Sequence, residues 1–247
     1  MSLLDRMNLG ARAVVVNQCS GDGVQQLEHK GYGIHWINSS GRGLSRSRNM
    51  ALSHAAEAVC LLGDDDLEYR DGCEEIILEQ FKRYPEADVI TFQVEGIERP
   101  FKTYHPEPRR LNFLTSMKVS SVEIAFRRER LEQSGIRFKE QFGAGAVYRM
   151  GEENIFLAEC LRKGLKIQYV PVKIADLHIG DSSWFKGYDR DYFISRGAAF
   201  TAMSRLHSLA LIVQFAARKH GLFKEEMSRR EAVRWMLEGR RRYLRGG

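Results

Sequence analysis

The sequence predicts an α/β fold, a largely parallel sheet covered by helices on both faces. Three observations carry that prediction. Short β-branched runs alternate with segments of helical apolar spacing from Ala11 onward. Turns rich in glycine, serine and asparagine separate them. Finally, "GDDD", Gly63 to Asp66, follows the end of an apolar run, and ligands of open α/β sheets bind outside the carboxyl ends of the strands.

The elements follow in order. "ARAVVVNQ" is short and β-branched, a strand ending near Asn17, and "CSGDG" is a turn. "VQQLEHKG" predicts a short helix and "GIHWIN" a second strand. After the loop "SSGRG", "LSRSRNMALSHA" has helical spacing at Leu44, Met50 and Leu52. "EAVCLL" is a third strand, ending at Gly63. "DGCEEIILEQFKRYP" is a helix with apolar Ile76, Ile77 and Phe81, and it stops before Pro85. "ADVITFQVEG" is a fourth strand. The expected organisation is an α/β body over residues 1–190 and a helical, basic region over 191–247.

Composition narrows the class. The chain has 247 residues, 43% hydrophobic and 28% charged, as in globular proteins. Its four cysteines, Cys19, Cys60, Cys73 and Cys160, form no CxxC pair and read as free thiols in a reducing compartment. The opening "MSLLDRMNLGAR" lacks the apolar core of a signal peptide, and no apolar run is long enough to span a bilayer. The expectation is a cytoplasmic chain with a peripheral membrane contact at most. From Ala216 to Gly247 ten lysines and arginines face four acids, which accounts for the whole net charge of +6; the remaining residues balance, 28 against 28. A neutral body argues against a nucleic-acid-binding core.

Three adjacent carboxylates repel one another and are poor strand formers. In an extended segment, side chains two apart share a direction. Asp64 and Asp66 then face a common ligand, with Asp65 turned away. That spacing suits Mg²⁺ or Mn²⁺ shared with phosphate oxygens. The bland alternative is a solvated acidic turn, with Asp66 or Asp71 capping the next helix.

"GRGLSRSRNMALSHA", followed about ten residues later by "VCLLGDDDLEY", resembles the nucleotide-sugar half of the inverting family-2 glycosyltransferases, which have the GT-A fold. "FGAGAVYRMGEENIFLAECLRKGLKIQYVP", Phe142 to Pro171, is similar to the family's acceptor-side segment: an acidic pair opening a helix, a glycine, then a strand ending in proline. "ADLHIGDSSW" supplies a histidine just beyond that strand. The resemblance spans Ala11 to Trp184. It implies a metal-dependent transfer of a sugar from a nucleoside-diphosphate donor to a glycan or lipid-linked acceptor, as in polysaccharide biosynthesis.

The resemblance also assigns residues. Asp66, Asp64 and His178 are the expected ligands of Mn²⁺ or Mg²⁺, with Asp64 and Asp65 also on the nucleotide-sugar side. Glu153 is the expected base, with Glu152 beside it; both also suit a helix N-terminus without any catalysis. The glycine-rich run before them reads as a mobile site-mouth loop. Arg46 and Arg48, two apart on a helix, cannot share a face, and Arg48 matches the family's donor contact. Asn17 and Gln18 stand where relatives carry a base-binding aspartate, and an amide still pairs with a nucleobase edge. Trp184 and Phe185 either stack on sugar rings or belong to the core.

The chain departs from the family at its start. "MSLLDRMNLG" looks like the end of the family's first helix, with no strand before it. That keeps a second reading in play, a non-catalytic binding or scaffold protein on the same fold. A nucleotidyltransferase is a third, without the glycine-rich, lysine-bearing loop it needs. In the tail, "AFTAMSRLHSLALIVQFAARKHGLF" carries apolar Leu206, Leu209, Leu211, Ile212, Phe215 and Leu222, and the arginine-rich segment beyond it includes Trp235 and Tyr243. Either these helices pack on the body, or they anchor on anionic lipid, aromatics at the headgroups.

Overall fold

The structure is a computed structural model that describes residues 2–179 and 187–246. The chain divides into two units. Described residues within 1–41, 49–137 and 160–182 form the first, and those within 42–48, 138–159 and 183–247 the second.

The first unit starts with α1 (Leu3–Arg6), whose Asp5 amide donates to the Ser2 hydroxyl at its N-cap. Strands β1 (Ala13–Gln18), β2 (Gly23–His29) and β3 (Tyr32–Ser39) form a three-stranded sheet in the order β1-β3-β2. β1 is parallel to β3 and β2 antiparallel to it. The helix expected at "VQQLEHKG" is therefore a hairpin strand. Lys30 and Gly31 both have positive φ, 51° and 82°, the pattern of a two-residue type I′ hairpin turn. Gly23 to Glu28 are all exposed, so no buried face fixes a period, and the turn with its ladder to β3 decides.

α2 (Leu44–His54) leads to β4 (Val59–Leu61), β5 (Leu67–Tyr69), α3 (Cys73–Arg83) and β6 (Val89–Gly96). β7 (Arg109–Arg110), α4 (Phe113–Ser116), β8 (Ile124–Arg127), α5 (Arg128–Ser134), α6 (Glu152–Arg162) and β9 (Ile167–Leu177) follow. The larger sheet runs β4-β8-β6-β9-β5, with β7 also on β9. β6 and β9 pair in parallel, and the other pairs are antiparallel. The α/β class is as expected, with mixed pairing.

Val89, Ile90, Phe92 and Val94 of β6 are fully buried, as are Ile174 and Ala175 of β9. α3 lays Ile77 and Phe81 on this core, with Glu74 and Glu75 in its first turn and Lys82 and Arg83 in its last, each matching the helix dipole. β9 does not end at Pro171. Its register against β6 skips between Thr91↔Tyr169 and Gln93↔Lys173, so the proline sits at an irregularity, where its missing donor costs no ladder bond.

The second unit is dominated by α7 (Arg190–Met203), α8 (Ser208–Arg218) and α9 (Arg229–Gly246). α7 is buried almost all round. α9 crosses it at two glycines: a Cβ on Gly197 would strike the Met236 backbone, and one on Gly239 the Ile194 backbone. Tyr243 of α9 is buried against the rings of Phe142 and Tyr148, and its hydroxyl accepts from Lys139 Nζ at 2.8 Å. The basic tail is thus a packed helix, and Tyr243 is not available as a headgroup anchor. Among the described residues no helix is long and apolar enough to cross a membrane.

Candidate active site

The aspartate turn belongs to the first unit. β4 ends at Leu61, and the Leu62 amide donates to Ile124 O at 3.0 Å, so the chain leaves the sheet at Gly63. A Cβ on Gly63 would meet the Tyr69 hydroxyl. That phenol is buried, and its pKa is driven well up by burial, with Cys73, Asp64 and Asp66 adding to it. The chain returns as β5, antiparallel to the end of β9: Leu67 faces Leu177, and the His178 amide donates to Asp66 O at 2.9 Å.

Asp66 is half-buried, and its Oδ1 is fully buried without a hydrogen-bond partner. Burial, then the charges of Asp64 and Asp65, push its carboxyl up to about 6, against a bond from its own backbone amide and the pull of His178. Asp64 is half-buried and Asp65 exposed. The capping explanation does not apply: Gly72 is the N-cap of α3, with no side-chain cap bond, and Asp71 accepts from Asn8 Nδ2 at 2.8 Å.

An orphaned, half-buried carboxylate beside two others fits a cation. Among the described residues no three histidine, cysteine, aspartate or glutamate side chains are grouped to hold one unaided. Mg²⁺ and Mn²⁺ sites use one or two carboxylates and complete the shell with phosphate oxygens and water. The residues present fit that arrangement and not a closed protein cage.

His178 is half-exposed. Its Nδ1 lies 3.1 Å from Glu98 Oε1, and the neighbouring Ile179 amide donates to Glu98 Oε2 at 2.7 Å. Glu98 carried no signal in the sequence. It arrives here because β6 runs parallel to β9, with Gly96 opposite Leu177. The segment after β6 is tied down nearby: the Tyr104 hydroxyl bonds Glu123 Oε1 at 2.8 Å, and Lys102 forms an ion pair with the same buried carboxylate. Asn17 and Gln18 end β1. Asn17 Nδ2 donates to Asn38 Oδ1 at 2.9 Å, which also accepts from Trp36 Nε1 at 3.1 Å.

The acid pair belongs to the second unit. Glu152 and Glu153 open α6. Glu152 Oε1 pairs with Arg48 Nη1 at 3.1 Å, both side chains buried, and the Arg48 guanidinium lies 5.6 Å from the centre of the Phe138 ring. Arg46 is exposed, so the two arginines do part as their spacing requires. Glu153 is enclosed by protein yet still partly accessible. Burial and the adjacent Glu152 raise its carboxyl well above the usual range, and Arg48 and Arg196 only partly offset them. Two neighbouring carboxyls in unlike surroundings are the arrangement that divides acid from base.

The loop before this pair is bent and tethered. Gly143, Gly145 and Gly151 have φ of 103°, 77° and 94°. Ala144 O accepts from Leu44 N at 2.9 Å, and Phe142 O from Ser45 Oγ at 2.6 Å. Ala146 to Arg149, with Asp191, Ser195 and Arg242, line a pocket of about 200 Å³. Arg149 is held there by Asp189 and Asp191 at 3.1 and 2.5 Å. Trp184 and Phe185 lie outside the described residues. Tyr192 and Phe193 beyond them are buried in the helical core, Phe193 packing edge-on to Phe223 at 5.0 Å.

The first unit thus carries an acidic turn after a half-buried strand, and the second an acid pair opening a helix. The chain belongs to glycosyl transferase family 2, whose sequence profile matches residues 2–151. No curated protein matched by sequence. Among solved structures the fold is similar to S. aureus TarS 1-349 in complex with UDP-GlcNAc, with a TM-score of 0.66 at 14% identity, covering 94% of this chain and 71% of that one. TarS 1-349 in complex with UDP gives 0.60 at 12% identity, covering 95% and 82%. Identities this low show a shared fold.

Proposed function

We propose that this family member moves a sugar from a nucleoside diphosphate to a glycan or lipid-linked acceptor, with inversion and with Mn²⁺ or Mg²⁺. The observation that carries the reading is Asp66: a half-buried carboxylate with an orphaned oxygen, held among like charges at a strand end. Such a group is unfavourable unless a cation completes it. The nucleotide in the TarS complexes supports the donor class.

Asp66 would hold the ion, with Asp64 and His178 as the other candidate ligands and Asp64 and Asp65 facing the donor. The ion supplies Lewis-acid stabilisation of the charge left on the diphosphate. Asn17 and Gln18, with amides at the end of β1, would meet the nucleobase. Glu153 would take the proton from the acceptor hydroxyl; a carboxyl raised toward neutrality is a better base than an ordinary one. Arg48, the expected donor contact, also pairs with Glu152 at 3.1 Å. That supports a role for Arg48 in holding the acid pair as well.

The second reading, a binding or scaffold protein on the same fold, would use the same residues to hold a nucleotide without turnover. Calorimetry separates the readings. UDP should bind more tightly with Mn²⁺ than in EDTA, and Asp66→Ala should abolish the difference. Equal binding in EDTA sinks the metal-dependent reading, and donor hydrolysis at no more than the buffer rate favours the scaffold.

The membrane contact is proposed for α8. Its inner face is Ser208, Leu211, Ile212 and Ala216. Its outer face presents Leu209 and Val213, with Leu206 just before it and Leu222 beyond, all exposed. No lysine, arginine or acid interrupts the run from Leu206 to Ala217, and Arg205, Arg218, Lys219 and Lys224 border it. An apolar strip edged with cations suits the cytoplasmic face of an anionic bilayer.

A further inference from the structure

We propose that β2 is a contact strand through which two copies of this chain pair edge to edge, with Gln26 opposite Gln26 of the second copy. The proposal stands apart from the transfer chemistry and rests on the hairpin.

β2 is the outer strand in the order β1-β3-β2, and among the described residues β3 is its only strand partner. Every residue from Gly23 to Glu28 is exposed, Val24 at 58% and Leu27 at 43%. Native sheet edges are blunted by proline, lysine, a bulge or very short length. β2 has none of these. It is seven residues long, Glu28 is its one acidic or basic residue besides His29, and its register against β3 runs without a shift. The outlying strands of the larger sheet are short by comparison, three residues in β5 and two in β7. β1, at the opposite edge, is half-buried except at Asn17.

The turn fixes which backbone groups face outward. With two residues, Lys30 and Gly31, in the turn, His29 and Tyr32 form a hydrogen-bonded pair. Bonded and non-bonded pairs alternate along an antiparallel ladder. Leu27, Gln25 and Gly23 therefore also bond β3, and the amides and carbonyls of Val24, Gln26 and Glu28 point away from it. A two-fold axis at Gln26 sets Val24 against Glu28 of the second copy and uses all of these groups. Charge selects that register. Asp22 then lies opposite Lys30 of the second copy at both ends. A shift one way sets Asp22 against Glu28, like against like, which is destabilising. A shift the other way sets Val24 against Lys30, inside the turn, and loses bonds. Asp22 is held in place by the Ser40 amide and hydroxyl at 2.7 and 2.9 Å, and exposed Lys30 donates to the neutral Asn8 Oδ1 at 3.1 Å.

The test uses the full chain. Sedimentation velocity at rising concentration should show a reversible dimer. Gln26→Pro removes an outward amide and no bond to β3; it should remain a single chain at every concentration, with unchanged far-ultraviolet circular dichroism. Lys30→Asp, which sets like charges opposite each other at both ends, should weaken association about 2- to 30-fold. Gln26→Cys should form a disulfide with its own mate, since the Cα atoms of a bonded antiparallel pair lie about 5.5 Å apart. Gln25→Cys should not, because Gln25 faces Leu27 of the second copy and its own mate lies beyond disulfide reach. Peptide mapping by mass spectrometry separates these links from any made by the native cysteines. A wild type that stays a single chain at every concentration overturns the proposal, and so does a dimer that Gln26→Pro leaves intact. A disulfide at position 25 in place of 26 overturns the register.

Discussion

Replacing Asp66 by asparagine should stabilise the metal-free protein while removing its response to Mn²⁺. The carboxyl titrates at about 6 in the fold against 3.8 in the unfolded chain. Roughly 1.36 kcal/mol attaches to each pH unit of such a difference. The side chain is only half-enclosed, and solvent screening reduces the effect to about 1–2 kcal/mol. The sign follows from linkage. An acid with a raised folded pKa stabilises the fold by its proton below the unfolded value and loses that contribution as pH climbs through about 6. Above that, the ionised group is a cost that asparagine, of the same shape, does not carry. In a chain of this size 1 kcal/mol moves Tm by about 2–4 °C, so Asp66→Asn should melt a few degrees higher at pH 8 and no higher at pH 4. Mn²⁺ with UDP should raise the wild-type Tm at pH 8 and leave the variant unmoved. The assay is differential scanning calorimetry at both pH values in EDTA and in Mn²⁺. A variant that melts lower at pH 8, or gains equally at pH 4, would refute the reasoning, because either outcome means that the aspartate is already satisfied within the protein.

Three further outcomes are expected. Glu153→Gln should lower turnover by about 10²–10⁴-fold with UDP affinity intact, and in the wild type the acidic limb of the rate profile should lie above the usual carboxylate range, since the raised carboxyl must lose its proton to act; steady-state kinetics across pH reads both, and wild-type turnover in the variant moves the base elsewhere. Gly239→Ala should cost about 1–3 kcal/mol by overpacking against the Ile194 backbone, whereas Gly246→Ala, whose Cβ would meet nothing, should be neutral or slightly stabilising; urea denaturation compares them. Leu209→Glu with Val213→Glu should abolish sedimentation with anionic vesicles at low salt and leave the far-ultraviolet circular dichroism unchanged, and retained binding would reduce α8 to a structural helix.

How much of this was legible in the sequence depends on what each feature rests on. The strand before the aspartates, the helix ending ahead of Pro85 and the acidic opening of α6 are local patterns, and they stand where the sequence puts them, although that strand is half-buried rather than buried. β2 reads as a helix because its exposed residues fit two periods, and only the Lys30–Gly31 turn and the ladder to β3 decide between them. The continuation of β9 past Pro171 was hidden for a similar reason. A proline ends a strand unless an irregularity takes it in, and the irregularity here is a property of the pairing with β6. Tyr243 reads as an exposed aromatic among arginines, yet α9 turns it onto Phe142 and Tyr148.

The two acidic clusters differ in how much of their chemistry is local, and that difference orders the experiments. Glu152 and Glu153 are adjacent in sequence, but what separates them is Arg48, more than a hundred positions away, which takes Glu152 and leaves Glu153 to be raised by burial and by its neighbour's charge. Removing Arg48 should therefore act on both acids together, by leaving Glu152 buried without its cation. Asp66 is different. Most of its perturbation comes from burial and from aspartates within two residues, so the turn creates its own unfavourable charge. What is distant is the opposing pull of His178, whose amide bonds Asp66 O just past the β5–β9 ladder. Asp66→Ala should therefore act by itself, abolishing any Mn²⁺ dependence of UDP binding in calorimetry, whereas Arg48→Ala should lower turnover through both glutamates at once.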